Sequence, residues 1–183
     1  MDRRRDGARH SGGSHEGKTE ALMRISILGM DYRSVVVAGC LSFRGHRVIG
    51  FDPSPRWADW LNRHGEHAAE AGLDALLEQG WQAGLLSGTT DLCAAVRETE
   101  VSFLDESGEA WPAADTEVRC RGFGEALRDK KEDHRLLVRS NQPREKVIAR
   151  LLPILESSSG KRLGRGFQLE VSQDCLGERN AGQ

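Results

Sequence analysis

The sequence has no excess of one charge, no long apolar run and no patterned cysteines, and each absence removes a class of function. Lysine and arginine number 26 against 28 acidic residues, a net charge of -2, so bulk attraction to nucleic acid or an anionic membrane is not expected. No apolar run approaches the roughly 20 residues of a membrane-spanning helix, and the N-terminus lacks the apolar core of a signal peptide, so a cytoplasmic protein is expected. The cysteines, Cys40, Cys93, Cys120 and Cys175, are spaced too irregularly for a zinc ribbon or a compact disulfide framework and read as reduced thiols. Among the histidines, His64 and His67 stand at i,i+3 spacing without a recognised set of further ligands; a solvated helix face is expected there, and no metal.

What remains is the composition of a globular domain on the polar side, 38% hydrophobic and 30% charged, in a chain of 183 residues that suits one domain. Residues 1–22 are rich in Arg, Gly, Ser and His and cannot bury enough apolar surface to order themselves; they are expected to be a disordered tail. Residues 23–183 form the expected domain.

From Met23 the pattern changes. Arg24 to Gly29 is a short apolar run ending in glycine, the form of a buried parallel strand. Val35 to Phe43 reads as a helix with Gly45 after it, and Val48 to Phe51 as a second strand closing on Asp52 and Pro53. This is a βαβ unit. The alternation continues with helices expected over Trp57–His64 and Gly72–Gln79, and a strand and turn over Leu85–Asp91. Asp91 is placed to cap a helix over Leu92–Arg97. A strand follows over Val101–Leu104, a helix over Val118–Lys131 and a strand over Arg135–Ser140. A helix over Lys146–Glu156 is expected to bend or end at Pro153, with Ser157–Gly160 as a loop and Phe167–Val171 as the last strand. Such alternation predicts an α/β fold, a Rossmann-like doubly wound, mainly parallel sheet with helices on both faces.

In that fold the first strand-to-helix turn takes a dinucleotide pyrophosphate, commonly with the sequence G-x-G-x-x-G. Here it is Gly29-Met30-Asp31-Tyr32-Arg33-Ser34, with one glycine of the three. A carboxylate at the middle position, where backbone should approach phosphate, opposes binding by several kcal/mol at ~4 Å and an effective dielectric of ~20. Arg33 is the nearby charge that offsets Asp31 in part. Asp52, 23 residues after Gly29, matches the acidic position that accepts from the adenosine ribose and favours NAD over NADP; its alternative role is to cap the turn before Pro53. Gly29, Met30, Tyr32, Arg33 and Asp52 are therefore the candidate cofactor-binding residues.

Beyond this turn, several blocks resemble GDP-mannose 6-dehydrogenases of the UDP-glucose/GDP-mannose dehydrogenase family. They are Met23 to Ile27, Ala38-Gly39-Cys40-Leu41-Ser42 with Arg44-Gly45-His46, Leu86 to Asp91, Val101-Ser102-Phe103, Val138-Arg139-Ser140 and Ser159-Gly160-Lys161, in the family's order. The resemblance implies an N-terminal NAD-binding domain of enzymes that oxidise a sugar-nucleotide alcohol to a carboxylate with two NAD, through a thioester on a cysteine. It adds Ser140 to the cofactor-binding candidates and puts Asp174 at the family's assisting glutamate, one methylene short. The family's G-T-P segment gives way to Leu104-Asp105-Glu106, and no G-G-S-C-type segment occurs, so no catalytic residue is assigned. Cys40, Cys93 and Cys120 are expected to be buried structural thiols. The family's central helical and sugar-nucleotide domains are absent from the sequence, which implies a separate chain that supplies them, or self-association through an uncovered face to which Trp57, Trp60, Trp81 and Trp111 contribute. Two expectations follow: an NAD-binding domain inactive alone, or a non-enzymatic remnant that keeps the fold without NAD.

Overall fold

The computed structural model describes residues 21–62, 71–106 and 113–173. The expected tail, the His64 and His67 pair, Trp111, Asp174 and Cys175 fall outside them or mostly so: of the tail only residues 21 and 22 are described.

The βαβ opening is formed by β1 (Arg24–Leu28), α1 (Tyr32–Phe43) and β2 (Arg47–Phe51). There follow α2 (Pro55–Asn62), α3 (Ala71–Gln82), β3 (Leu86–Thr89), α4 (Leu92–Glu98), β4 (Val101–Asp105) and α5 (Ala113–Arg128). The chain continues through β5 (His134–Ser140), α6 (Arg144–Ser159), β6 (Arg162–Leu163) and β7 (Gly166–Gln173). The strands form one seven-stranded sheet in the order β3-β2-β1-β4-β5-β7-β6, and β1 to β5 and β7 pair in parallel. The Rossmann-like α/β expectation holds.

Alternation along the strands divides the core between the two faces of the sheet. Ile27 and Val48 pack with Val35 and Ala38 of α1, Leu61 of α2 and Leu73, Leu77 and Trp81 of α3. Their sequence neighbours Leu28 and Ile49 point the other way, into Val96 of α4, Phe123 and Leu127 of α5 and Leu151 and Leu155 of α6. Parallel strands covered on both faces carry continuous apolar runs, which is why the strands stand out in the sequence.

The tryptophans correct one expectation. Trp81 is buried and Trp57 and Trp60 are half-buried, stacked edge to face at 5.9 Å, with Trp60 against Trp81 at 6.3 Å. They fill the α2–α3 side of the core and make no exposed patch. Cys40 corrects another: it is exposed on α1, whereas Cys93 is half-buried and Cys120 buried, its thiol pushed up to about 12 by desolvation.

Helix α6 passes through Pro153 and ends three residues beyond the expected Glu156. Pro153 lies on the exposed face, so its missing N–H and ring face solvent while Leu151 and Leu155 anchor the core side. The serines expected in a loop are its last turn, closed by Gly160 in the left-handed region (φ 69°) with its N–H on the Glu156 carbonyl. The two-residue β6 at the sheet edge was not expected.

The cap at Asp91 is as expected, its Oδ1 accepting from the Ala94 N–H at 2.9 Å. Asp91→Ala should lower stability by about 1 kcal/mol, read from the urea midpoint, and Asp91→Asn should restore most of it.

Candidate functional site: the β1–α1 crevice

In an open parallel sheet, ligands bind beyond the carboxyl ends of the strands where the strand order reverses. Here that point lies between β1 and β4, the two strands from which the sheet is extended in opposite directions. Gly29, Met30, Asp52 and Ser140 stand at strand ends along this edge, and Tyr32 and Arg33 open α1. The structure thus brings the predicted turn together with Asp52, while Ser140 stands two strands away from Gly29 at the end of β5.

Gly29 turns the chain with φ +100°, a conformation that favours glycine, and its N–H bonds the Phe51 carbonyl at 2.8 Å. Met30 sends its side chain into the core, 1% exposed, and its N–H bonds Asp52 Oδ2 at 2.9 Å. The other oxygen, Oδ1, accepts from the Ser54 N–H at 2.9 Å. Asp52 is 2% exposed and braces two turns, which realises the capping role read as its alternative. Tyr32 and Arg33 are exposed on the first turn of α1. Ser140 is buried, its hydroxyl accepting from the Gln142 N–H at 3.0 Å.

Asp31 has a role that the sequence reading missed. It is the N-cap of α1, and its Oδ1 accepts from the Ser34 N–H at 2.7 Å. An acidic residue just before a helix is itself a cap signal, and here it falls on the middle position of the glycine motif. The carboxylate therefore occupies one of the free N–H groups at the positive end of the helix, the groups a phosphate would take.

Arg119 of α5 was also missed, and no local signal could have found it. Its guanidinium lies directly over Gly29: a Cβ there would stand 2.5 Å from Nη1 and 3.0 Å from Cζ. Arg119 is 7% exposed; desolvation lowers its pKa, and this is opposed by the carboxylates of Asp52, Asp115 and Asp31, in that order. Where Arg33 was expected to offset Asp31, the structure shows a buried cation from another element, Arg119.

Further along the edge, the residues in place of the G-T-P segment are tied down by ion pairs. Asp105 pairs with Arg139 of β5, and Glu106 with Arg150 of α6 at 2.6 Å. Both carboxylates are buried, with side-chain exposures of 3% and 6%. No group of His, Cys, Asp and Glu suited to a metal occurs among the described residues. No helix among them is long and apolar enough to cross a membrane.

A parallel sheet in this order, with a glycine turn into α1 at the point of reversal and an aspartate ending β2, defines a Rossmann-type dinucleotide-binding domain. Residues 23–107 match the UDP-glucose/GDP-mannose dehydrogenase family, NAD binding domain. The chain is 42% identical over 164 residues to the GDP-mannose 6-dehydrogenase of Pseudomonas aeruginosa, covering 87% of this chain and 38% of that protein. The UDP-glucose 6-dehydrogenase AglM of Haloferax volcanii is 27% identical over 169 residues, with the same coverages. Superposition on the crystal structure of a ternary complex of the Pseudomonas aeruginosa GDP-mannose dehydrogenase gives a TM-score of 0.75 at 41% identity, over 83% of this chain and 36% of that one. The chain is homologous to the NAD-binding N-terminal domain of the UDP-glucose/GDP-mannose dehydrogenase family, and it spans about 38% of the length of the curated relatives it matches.

In the described arrangement the crevice is narrowed by the chain's own side chains. Arg119 covers Gly29, Asp31 takes one N–H of the helix terminus, and each oxygen of Asp52 accepts one backbone N–H.

Proposed function

We propose that this chain is the cofactor-binding part of a nucleotide-sugar 6-dehydrogenase, taking NAD weakly at the carboxyl ends of β1, β2 and β4 and performing no oxidation by itself. The observation that carries this reading is the Gly29 turn, held beside Asp52 at the point of strand reversal, in a domain 42% identical to a GDP-mannose 6-dehydrogenase. The family reaction, NAD-dependent oxidation of GDP-mannose or UDP-glucose to the uronic acid, needs a cysteine segment and a sugar-nucleotide domain. The domain acts in the cytoplasm, where NAD and sugar nucleotides meet, toward polysaccharide precursors.

Binding requires the crevice to open, so the expected dissociation constant for NAD is in the millimolar range, a binding free energy of about 4 kcal/mol. Calorimetric titration is expected to show heat with NAD and less with NADP, whose extra phosphate would meet Asp52. Absence of heat throughout the millimolar range would overturn the reading. It would favour the second one, a domain that keeps the fold without binding NAD, for which the covered Gly29 and the braced Asp52 speak.

A further inference from the structure

The turn that should receive a pyrophosphate already contains an anion and a cation of its own. Asp31 Oδ1 takes the Ser34 N–H at the start of α1. Arg119 reaches across from α5 and lies against the bare Cα of Gly29, with Asp52 and Asp115 also drawing on its charge. A pyrophosphate in this fold needs free N–H groups at the helix terminus, a glycine that lets it approach closely, and positive charge nearby. Here one N–H is taken by a carboxylate, and the glycine surface is taken by a guanidinium that is itself the positive charge.

We infer that Asp31 is a built-in surrogate for the cofactor pyrophosphate and Arg119 the counter-ion of whichever anion holds the seat. This deepens the NAD reading and rests on it: the pair sets the cofactor affinity, and the loss of the other glycines is secondary. A side chain at Gly29, already disfavoured by φ +100°, would also displace Arg119. When Asp31 is removed, Arg119 is already placed to meet a phosphate. When Arg119 is removed, Asp31, Asp52 and Asp115 lose a cation that each attracts.

The test is a double-mutant cycle with two readouts, NAD affinity by calorimetry and melting temperature. Glycine at a helix cap costs little, so Asp31→Gly should fold. It is expected to tighten NAD binding at least tenfold, and Arg119→Ala added to it should cancel that gain. Arg119→Ala alone should lower the melting temperature by on the order of 5 °C, and by less in the Asp31→Gly background. The inference is overturned if wild type binds NAD and Asp31→Gly binds it no better, or if Arg119→Ala improves binding in that background. If neither wild type nor any variant takes up NAD, the cofactor reading falls and the melting temperatures decide the pair. A smaller loss in the Asp31→Gly background then upholds it, and an equal or larger loss overturns it.

Discussion

Replacing Phe123 with alanine is expected to remove about 3–5 kcal/mol of stability, a large fraction of the roughly 5–15 kcal/mol that a domain possesses. Phe123 is fully buried on α5 and packs in the cluster that joins α4, α5 and α6 to the sheet. Its ring also meets His134 edge to face, with centroids 5.3 Å apart, so truncation leaves a cavity bordered by a polar ring as well as by apolar side chains. Helices α5 and α6 pack tightly here, and a gap between them cannot close without moving both. Chemical denaturation should show a lower midpoint with little change in slope. Phe123→Leu, which keeps most of the volume, should recover more than half of the loss. Because Arg119 stands one turn earlier on the same helix, a repositioned α5 would also disturb the crevice, so the variant should be compared with wild type in the NAD titration.

The second large effect is a loss of stability in mild acid. His134 is 1% exposed at the start of β5, and its Nε2 lies 2.9 Å from Ser102 Oγ. That hydroxyl meets Ser26 Oγ at 2.6 Å, to which Thr99 Oγ1 donates at 3.1 Å. Desolvation first, and the positive charge of Lys130 second, lower the imidazole pKa from 6.5 to about 3. Between these values the unfolded chain binds a proton that the folded domain refuses, so stability is full above pH 6.5 and falls as the pH drops toward 3. At pH 5 the loss from this group is about 2 kcal/mol, from roughly 1.4 kcal/mol per pH unit. Urea midpoints measured from pH 7 to pH 5 should fall accordingly, and His134→Gln should flatten that part of the profile. An unchanged slope in the variant would assign the acid sensitivity to other groups.

The strands were legible because a parallel sheet covered on both faces demands continuous apolar segments, and Arg24–Leu28, Arg47–Phe51 and Val101–Asp105 supply them. The cap at Asp91 was legible because capping is local, three residues from carboxylate to N–H. Boundaries were less so. Helix α6 continues past Pro153 because burial of Leu151 and Leu155 outweighs one missing hydrogen bond on the solvent side. The tryptophans face inward because α2 packs on β3 and α3 on α1, which brings Trp60 against Trp81, a meeting that no local pattern states.

The same division holds for the site. The sequence alone determined where a dinucleotide crevice must lie, since a strand ending in Gly29 and another ending in Asp52 need only the βαβ rule to be brought together. It also showed that Asp31 disturbs the motif. Only the tertiary structure decided how that disturbance is accommodated. Arg119 is separated from Gly29 by 90 positions of chain, and it reaches the turn because β4 pairs beside β1 and sends α5 back across the same edge. Charge compensation acts through space over a few ångströms, and sequence order carries no record of that distance.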